Sequence, residues 1–165
     1  MKVIFIFTRS ITFNTFLKSQ AEYLSKKGLH VQIACSDPTN VKLKSTLRHK
    51  IDFPTKIVDL FNLNKYINIF NQIKILVRKN PNAIFYLHTP VASHLFRFFN
   101  FFKKLKIIYF VHGFRFTSKS YILKKFFFKT IEKILSFTTD VFITINNEDY
   151  HFAKLNFKKK KNKIL

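Results

Sequence analysis

The chain alternates short apolar runs with stretches of helical spacing, and most of these runs stop abruptly at polar residues. Residues 3–7, 31–34, 56–58, 83–87, 106–111 and 141–145 are rich in β-branched and aromatic side chains and read as strands. Phe13, Phe16, Leu17, Ala21 and Leu24 recur at helical spacing until Lys26-Lys27-Gly28 stops the pattern. Ile67, Phe70, Ile73, Leu76 and Val77 predict a helix closed by Lys79-Asn80-Pro81, because proline cannot continue it. Further helices are expected over 92–102, 121–135 and 148–155, while 39–52 is polar with weak helical character. Strand and helix in alternation predict an α/β, Rossmann-like, three-layer α/β/α fold around a parallel sheet with right-handed crossovers.

At 165 residues the chain is long enough for one domain with a sizeable core and too short for two of ordinary size. We read 1–157 as that domain and 158–165, with its run Lys158 to Lys161 and Lys163, as a basic tail that begins a linker to an absent second domain. Ile164-Leu165 ends the chain as if another strand were about to start.

Lysine and phenylalanine dominate the rest of the composition: the formal charge is +22 and there are 23 Phe against no Trp. Two readings stand side by side. A cationic, aromatic surface would meet an anionic membrane or nucleic acid; AT-rich codon usage would give the same excess of Lys, Asn, Ile and Phe. Only Arg9, Arg48, Arg78, Arg97 and Arg115 are arginines, and arginine is the residue of bidentate phosphate and base recognition, so nucleic acid is the disfavoured partner. The aromatic stretch 95–111 is broken by Arg97, Lys103, Lys104 and Lys106, so it does not read as a membrane span. Without a signal-peptide pattern, and with Cys35 as the single cysteine, the expected location is cytoplasmic, or peripheral on the inner face of the cytoplasmic membrane.

On a parallel sheet all strand carboxyl ends share one edge, and open α/β sheets bind ligands there. Arg9-Ser10, Ser36-Asp37, His88-Thr89, His112-Gly113 and Asn146 with Glu148 and Asp149 should therefore gather, although they are far apart in sequence. His112 is the candidate catalytic residue, since an imidazole exchanges protons near neutral pH, and Gly113 beside it suggests a sharp turn or a close approach. His88 either lines the same crevice or satisfies a backbone carbonyl. Glu148 and Asp149 either act as general bases or ligands for a hydroxylated substrate, or complement the dipole of the helix they open. Glu132, next to Lys133, reads as a solvated salt-bridge residue. No glycine-rich dinucleotide fingerprint, P-loop, metal-ligand spacing or nucleophile elbow occurs, which argues against oxidoreductases, P-loop NTPases and serine hydrolases.

His88-Thr89-Pro90, the segment 109–116 with its HGFRF, Ile131-Glu132-Lys133, Thr139-Asp140-Val141 and the segment 145–150, in that order, resemble the N-terminal domain of family 4 glycosyltransferases of the GT-B fold. That family assembles bacterial capsule, exopolysaccharide and lipopolysaccharide. The resemblance implies two Rossmann-like domains facing across a cleft, the first holding the acceptor and the second the nucleotide-sugar, with transfer that retains anomeric configuration and no metal or other cofactor. It places His112 near the transferred sugar, lets Gly113 permit that approach, and puts Asn146, Glu148 and Asp149 in the adjoining wall. Its partners would be a lipid-linked saccharide acceptor and a nucleotide-sugar bound through a missing or separate C-terminal domain. Thr8-Arg9-Ser10 replaces the paired glycines of many members, and the paired glutamates of the donor domain have no counterpart. The isolated chain is therefore expected to transfer sugar weakly or not at all. The alternative is a non-catalytic acceptor-binding or membrane-recruiting subunit that pairs with a donor-binding chain.

Overall fold

A computed structural model describes residues 1–56, 59, 62–114, 122–157 and 163–165, the side chain of residue 124 excepted. Seven strands form one parallel sheet: β1 (Lys2–Ile6), β2 (His30–Cys35), β3 (Leu47–Lys50), β4 (Ile84–Leu87), β5 (Lys106–Val111), β6 (Val141–Thr144) and β7 (Lys163–Ile164). Their order is β3-β2-β1-β4-β5-β6-β7, so the chain first winds outward from β1 and then returns past it to β4. Among the described residues six α-helical segments surround them, α1 (Ser10–Thr12), α2 (Lys18–Lys26), α3 (Leu63–Lys79), α4 (Pro90–Asn100), α5 (Ile122–Leu135) and α6 (Asn147–Asn156), with a π-helical turn (Phe13–Leu17) joining α1 to α2.

The inner strands β1, β2, β4, β5 and β6 are mainly apolar because both faces are covered, and period-two alternation sends their side chains to two separate cores. Ile4, Ile6, Phe85, Leu87, Ile107, Tyr109 and Phe142 meet Ile69, Ile73, Phe96, Ala153 and Phe157 from α3, α4, α6 and the turn after it. On the other face Val3, Phe5, Phe7, Val31, Ile33 and Tyr86 meet Phe13, Leu17 and Ala21 from the first helical stretch. Burying each of these side chains is worth about 1.5–3 kcal/mol before conformational entropy is charged.

Local signals end the helices as expected. Gly28 sits at φ 81 after α2, and Asn80 closes α3 with its side-chain amide on the Leu76 carbonyl. Thr89 and Pro90 open α4, proline occupying the first turn where its missing N–H costs nothing.

Three expectations need revision. The polar segment 39–52 holds a strand, β3, that pairs with β2 from Gln32↔Leu47 to Cys35↔Lys50. As an edge strand it is secured by backbone ladder bonds with its side chains largely exposed, so it carries no apolar pattern to read. The strand expected at 56–58 is not seen at Lys56, which lies in a bend; Ile57 and Val58 fall outside the described residues. Third, Glu132 is buried: it pairs with the fully buried Arg97 (Nη2 to Oε2, 2.9 Å) and with His94 (Nε2 to Oε1, 2.8 Å). The Arg97 guanidinium also lies 4.2 Å from the centre of the Tyr109 ring, tying α4 and α5 to β5. Burial alone would raise the Glu132 pKa, but the Arg97 charge and the His94 bond outweigh it and hold the carboxyl below its ordinary value. The end of the chain joins the sheet, with Leu165 N–H donating to the Phe142 carbonyl at 2.9 Å; residues 158–162 lie outside the described set.

Removing one member of a buried ion pair strands the other charge, so Glu132→Ala should cost about 3–5 kcal/mol in urea unfolding. The joint replacement Arg97→Met with Glu132→Leu should recover most of that loss, because no charge is then left unpaired.

Candidate functional site

The reversal of winding direction lies between β1 and β4, and the loops leaving these two strands are stitched together. Thr8 N–H donates to Thr89 Oγ1 at 2.9 Å, and the two hydroxyls lie 2.6 Å apart. His88 N–H donates to the Ile6 carbonyl at 3.0 Å, continuing the β1–β4 ladder to the sheet's carboxyl edge. Thr89 therefore secures this edge, and a ligand bound by its hydroxyl would compete with the Thr8 contacts.

His88 and His112 extend β4 and β5 by one residue, on the face that Tyr86 and Phe110 occupy two residues earlier. His88 Nδ1 and His112 Nε2 are 3.4 Å apart. His88 is wholly buried; its ring stacks on Phe5, with centroids 5.3 Å apart and planes inclined by 12°, and contacts Tyr86 at 4.3 Å. His112 is exposed at the sheet edge, with Phe110 at 4.8 Å and Phe16, from the π-helical turn, at 6.3 Å. Burial first, and the neighbouring His112 second, drive the His88 pKa well below its ordinary value; part burial lowers that of His112. Both rings are thus neutral at pH 7.

A neutral His88 carries one N–H. Among the described residues its Nε2 has no hydrogen-bond partner, so a proton there would be a buried orphan donor. On Nδ1 the proton points at His112 Nε2. Hydrogen-bond economy therefore assigns the Nδ1–H tautomer to His88, makes His112 Nε2 an acceptor, and leaves His112 its own proton on Nδ1. His112 becomes an oriented donor, suited to holding a hydroxyl or a developing negative charge.

Gly113, at φ 124, lies in a backbone region that L side chains rarely adopt, so the sharp turn is observed; among the described residues no atom beyond its chain neighbours lies within 4 Å of where a Cβ would stand.

The flanking residues divide by whether their polar atoms are already engaged. Ser10 donates its N–H and hydroxyl to the two Asp37 oxygens at 2.6 and 2.7 Å. Burial would raise the Asp37 pKa, but these two bonds and the Arg9 charge bring it below the usual carboxylate value. A fixed carboxylate consequently occupies the start of the first helical stretch, where a phosphate would otherwise be attracted. Arg9 is exposed beside it. Asn146 caps α6, accepting from Asp149 N–H at 2.8 Å and donating to Asp149 Oδ2 at 2.6 Å. Asp149 Oδ1 faces the Phe114 N–H at 3.4 Å, which ties the loop after β5 to α6. Asp149 is buried and engaged, whereas Glu148 is exposed in the first turn of that helix. Sequence reasoning gave the gathering at the edge but missed the Asp37–Ser10 clamp and the ring cluster. Spacing at i and i+2 in Tyr86/His88 and Phe110/His112 was the available signal for the cluster.

Comparison with known proteins gives a consistent picture. The family model described as glycosyl transferase 4-like matches residues 2–146. EpsD of Bacillus subtilis (strain 168), which carries a provisional glycosyltransferase name, is 27% identical over 156 residues, covering 93% of this chain and 40% of its own length. Among solved structures, sucrose-phosphate synthase of Thermosynechococcus elongatus superposes with a TM-score of 0.73 at 10% identity, over 99% of this chain and 47% of that one. MurG of Acinetobacter baumannii gives 0.63 at 12% identity, over 99% and 45%. The chain thus spans less than half the length of each of these proteins, and at such identities the structural likeness establishes the GT-B half-fold alone.

A buried histidine with a depressed pKa stabilises the fold fully above the pKa it has when unfolded, and that contribution is lost as pH falls below it toward the folded value. Urea stability should therefore drop as pH is lowered from 7 to about 5, above the carboxylate range, and His88→Phe should flatten the slope. Nitrogen-15 imidazole spectra should report the Nδ1–H tautomer for His112 and a mixture in the His88→Phe variant.

Proposed function

Because the chain belongs to the glycosyl transferase 4-like family, we propose that it forms the acceptor-side wall of a retaining glycosyltransferase that builds a bacterial surface polysaccharide on a lipid-linked acceptor. The observation that carries this reading is the His88–His112 pair at the carboxyl edge of the sheet, with both rings held neutral and His112 exposed. In the proposed reaction the bond between the anomeric carbon and the nucleotide diphosphate breaks, and a bond to the acceptor oxygen forms on the same face. The acceptor's proton leaves with the diphosphate. His112 Nδ1–H would hold a sugar oxygen through this exchange, Gly113 would let the sugar approach, and Glu148 and Arg9 would contact hydroxyl or phosphate groups at the rim. His88 would act through His112, as a positioning residue.

The nucleotide-sugar would be held by a second, donor-binding domain, either covalently joined or supplied as a separate chain; residues 163–165 belong to the sheet and are not the linker. Two observations support that division. Asp37 fills the start of the first helical stretch, so the diphosphate must find its donors elsewhere. The chain also spans 40% of EpsD. The lipid-linked acceptor would bring the protein to the inner face of the cytoplasmic membrane, and the described residues contain no helix long and apolar enough to cross it.

Assay with the donor-binding partner and a lipid-linked acceptor should show transfer, and His112→Ala should lower kcat by about 100-fold or more. Full turnover by the isolated chain would overturn the division of labour, and undiminished turnover by His112→Ala would overturn the role of that residue.

A further inference from the structure

Phe16 departs from the pattern that its spacing predicts. Phe13, Phe16, Leu17 and Ala21 recur as one helical face, and Phe13, Leu17 and Ala21 are buried, yet Phe16 is 67% exposed. The cause is local. Phe13–Leu17 form a π-helical turn, whose wider winding carries Phe16 off the core face, and such turns recur at functional sites. The turn is held from two sides. Phe13 packs on Phe5 and Phe7, with ring centroids 6.1 and 5.3 Å away, while Asn14 accepts from the Lys42 N–H at 2.8 Å and donates to the Asn40 carbonyl at 2.9 Å. The Phe16 ring therefore stands in solvent on a fixed base, its centroid 6.3 Å from that of His112 and its plane inclined by 51°. Val111 pairs with Thr144, so His112 and Ile145 leave the sheet side by side, and Ile145 is 56% exposed.

We infer that Phe16 is a stacking platform for a pyranose ring of the acceptor saccharide, the C–H face of the sugar lying on the phenyl ring while one of its hydroxyls meets the His112 N–H. A pyranose is amphipathic in the same way as this pair. Its axial C–H bonds carry partial positive charge and suit the negative face of an aromatic ring, and its hydroxyl rim requires polar partners. A wholly apolar occupant would leave the His112 donor unpaired. A nucleotide could stack its base, but its phosphates would be repelled by the Asp37 carboxylate that occupies the start of the same helical stretch. With the backbone of the turn already fixed, only the two side-chain torsions of Phe16 need ordering, so little affinity is lost on binding. Stacking selects by ring face: a β-linked gluco- or galactopyranose, whose axial hydrogens share one face, fits, whereas an axial hydroxyl on that face would lift the sugar away. The inference rests on the proposed function for the identity of this saccharide as acceptor, and adds to it the residue that selects the ring.

Saturation-transfer NMR on the full chain, with cellobiose and lactose as probes, tests it. Irradiating the aromatic protons should attenuate the axial hydrogens of one pyranose face most, because these lie nearest the ring. Phe16→Ala should weaken that saturation transfer by about tenfold and Phe16→Tyr should keep it, with circular dichroism unchanged because the side chain is exposed. The sequence has no tryptophan, so Phe16→Trp supplies a single fluorophore whose emission should change on adding either disaccharide. With the donor-binding partner present, Phe16→Ala should act on the acceptor KM, raising it about tenfold, and not on the nucleotide-sugar KM. Saturation transfer to neither probe in the wild type, undiminished saturation transfer in Phe16→Ala, or a rise in the nucleotide-sugar KM alone would each overturn the platform. Absence of glycosyl transfer alongside intact saturation transfer would overturn the proposed function and leave the pyranose platform standing. Glycosyl transfer with an acceptor KM untouched by Phe16→Ala would do the reverse.

Discussion

The pairing of β1 with β4 is the contact on which the rest of the molecule depends. Its register, Val3↔Ile84 through Ile6↔Leu87, joins segments some eighty residues apart and places the end of the returning chain beside the start. Loop closure on that scale costs entropy that local contacts cannot repay, so the ladder bonds and the two apolar cores must repay it together. Once it forms, Thr8 and Thr89 meet, His88 is driven under Phe5 and Tyr86, and β5 can add on the far side and bring His112 to His88.

Electrostatics follows from the same packing. Few carboxylates are present in this cationic chain, and most are spent on structure, among them Glu132 against Arg97 and His94, Asp37 on Ser10, and Asp149 between Asn146 and the Phe114 N–H. Each binds together elements that the sheet brings close but does not join. The consequence for chemistry is that the crevice keeps neutral imidazoles and an exposed Glu148, while the helix start that could attract a diphosphate is taken. Such a wall suits a hydroxylated acceptor better than a nucleotide.

The outer surface obeys a different rule from the crevice. There, rings are left in water at the amino edge with lysines around them, although the same residue type fills both cores. Composition alone could not separate a codon-driven excess of Phe and Lys from a surface that meets lipid. Only the tertiary structure brings them together, on the last turn of α4, the turn after it and the end of α5.

The strands with apolar faces on both sides, the helix ends at Gly28 and Asn80-Pro81, and the gathering of His88, His112 and Asn146 at one edge were legible in the sequence. Periodicity and turn chemistry are local and leave a residue-level trace. Edge strand β3 was not legible, because backbone bonds hold it and its side chains stay in solvent. The burial of Glu132 was invisible for the complementary reason: a charge beside a lysine on a helix looks solvated until a second helix brings Arg97 to it. Sequence by itself therefore determined the apolar strands, the longer helices and the sharing of one edge by the polar strand ends. Only the tertiary structure decided which charges are buried, that Asp37 closes the start of the first helical stretch, and which nitrogen of His112 meets His88, since each depends on partners distant in the chain.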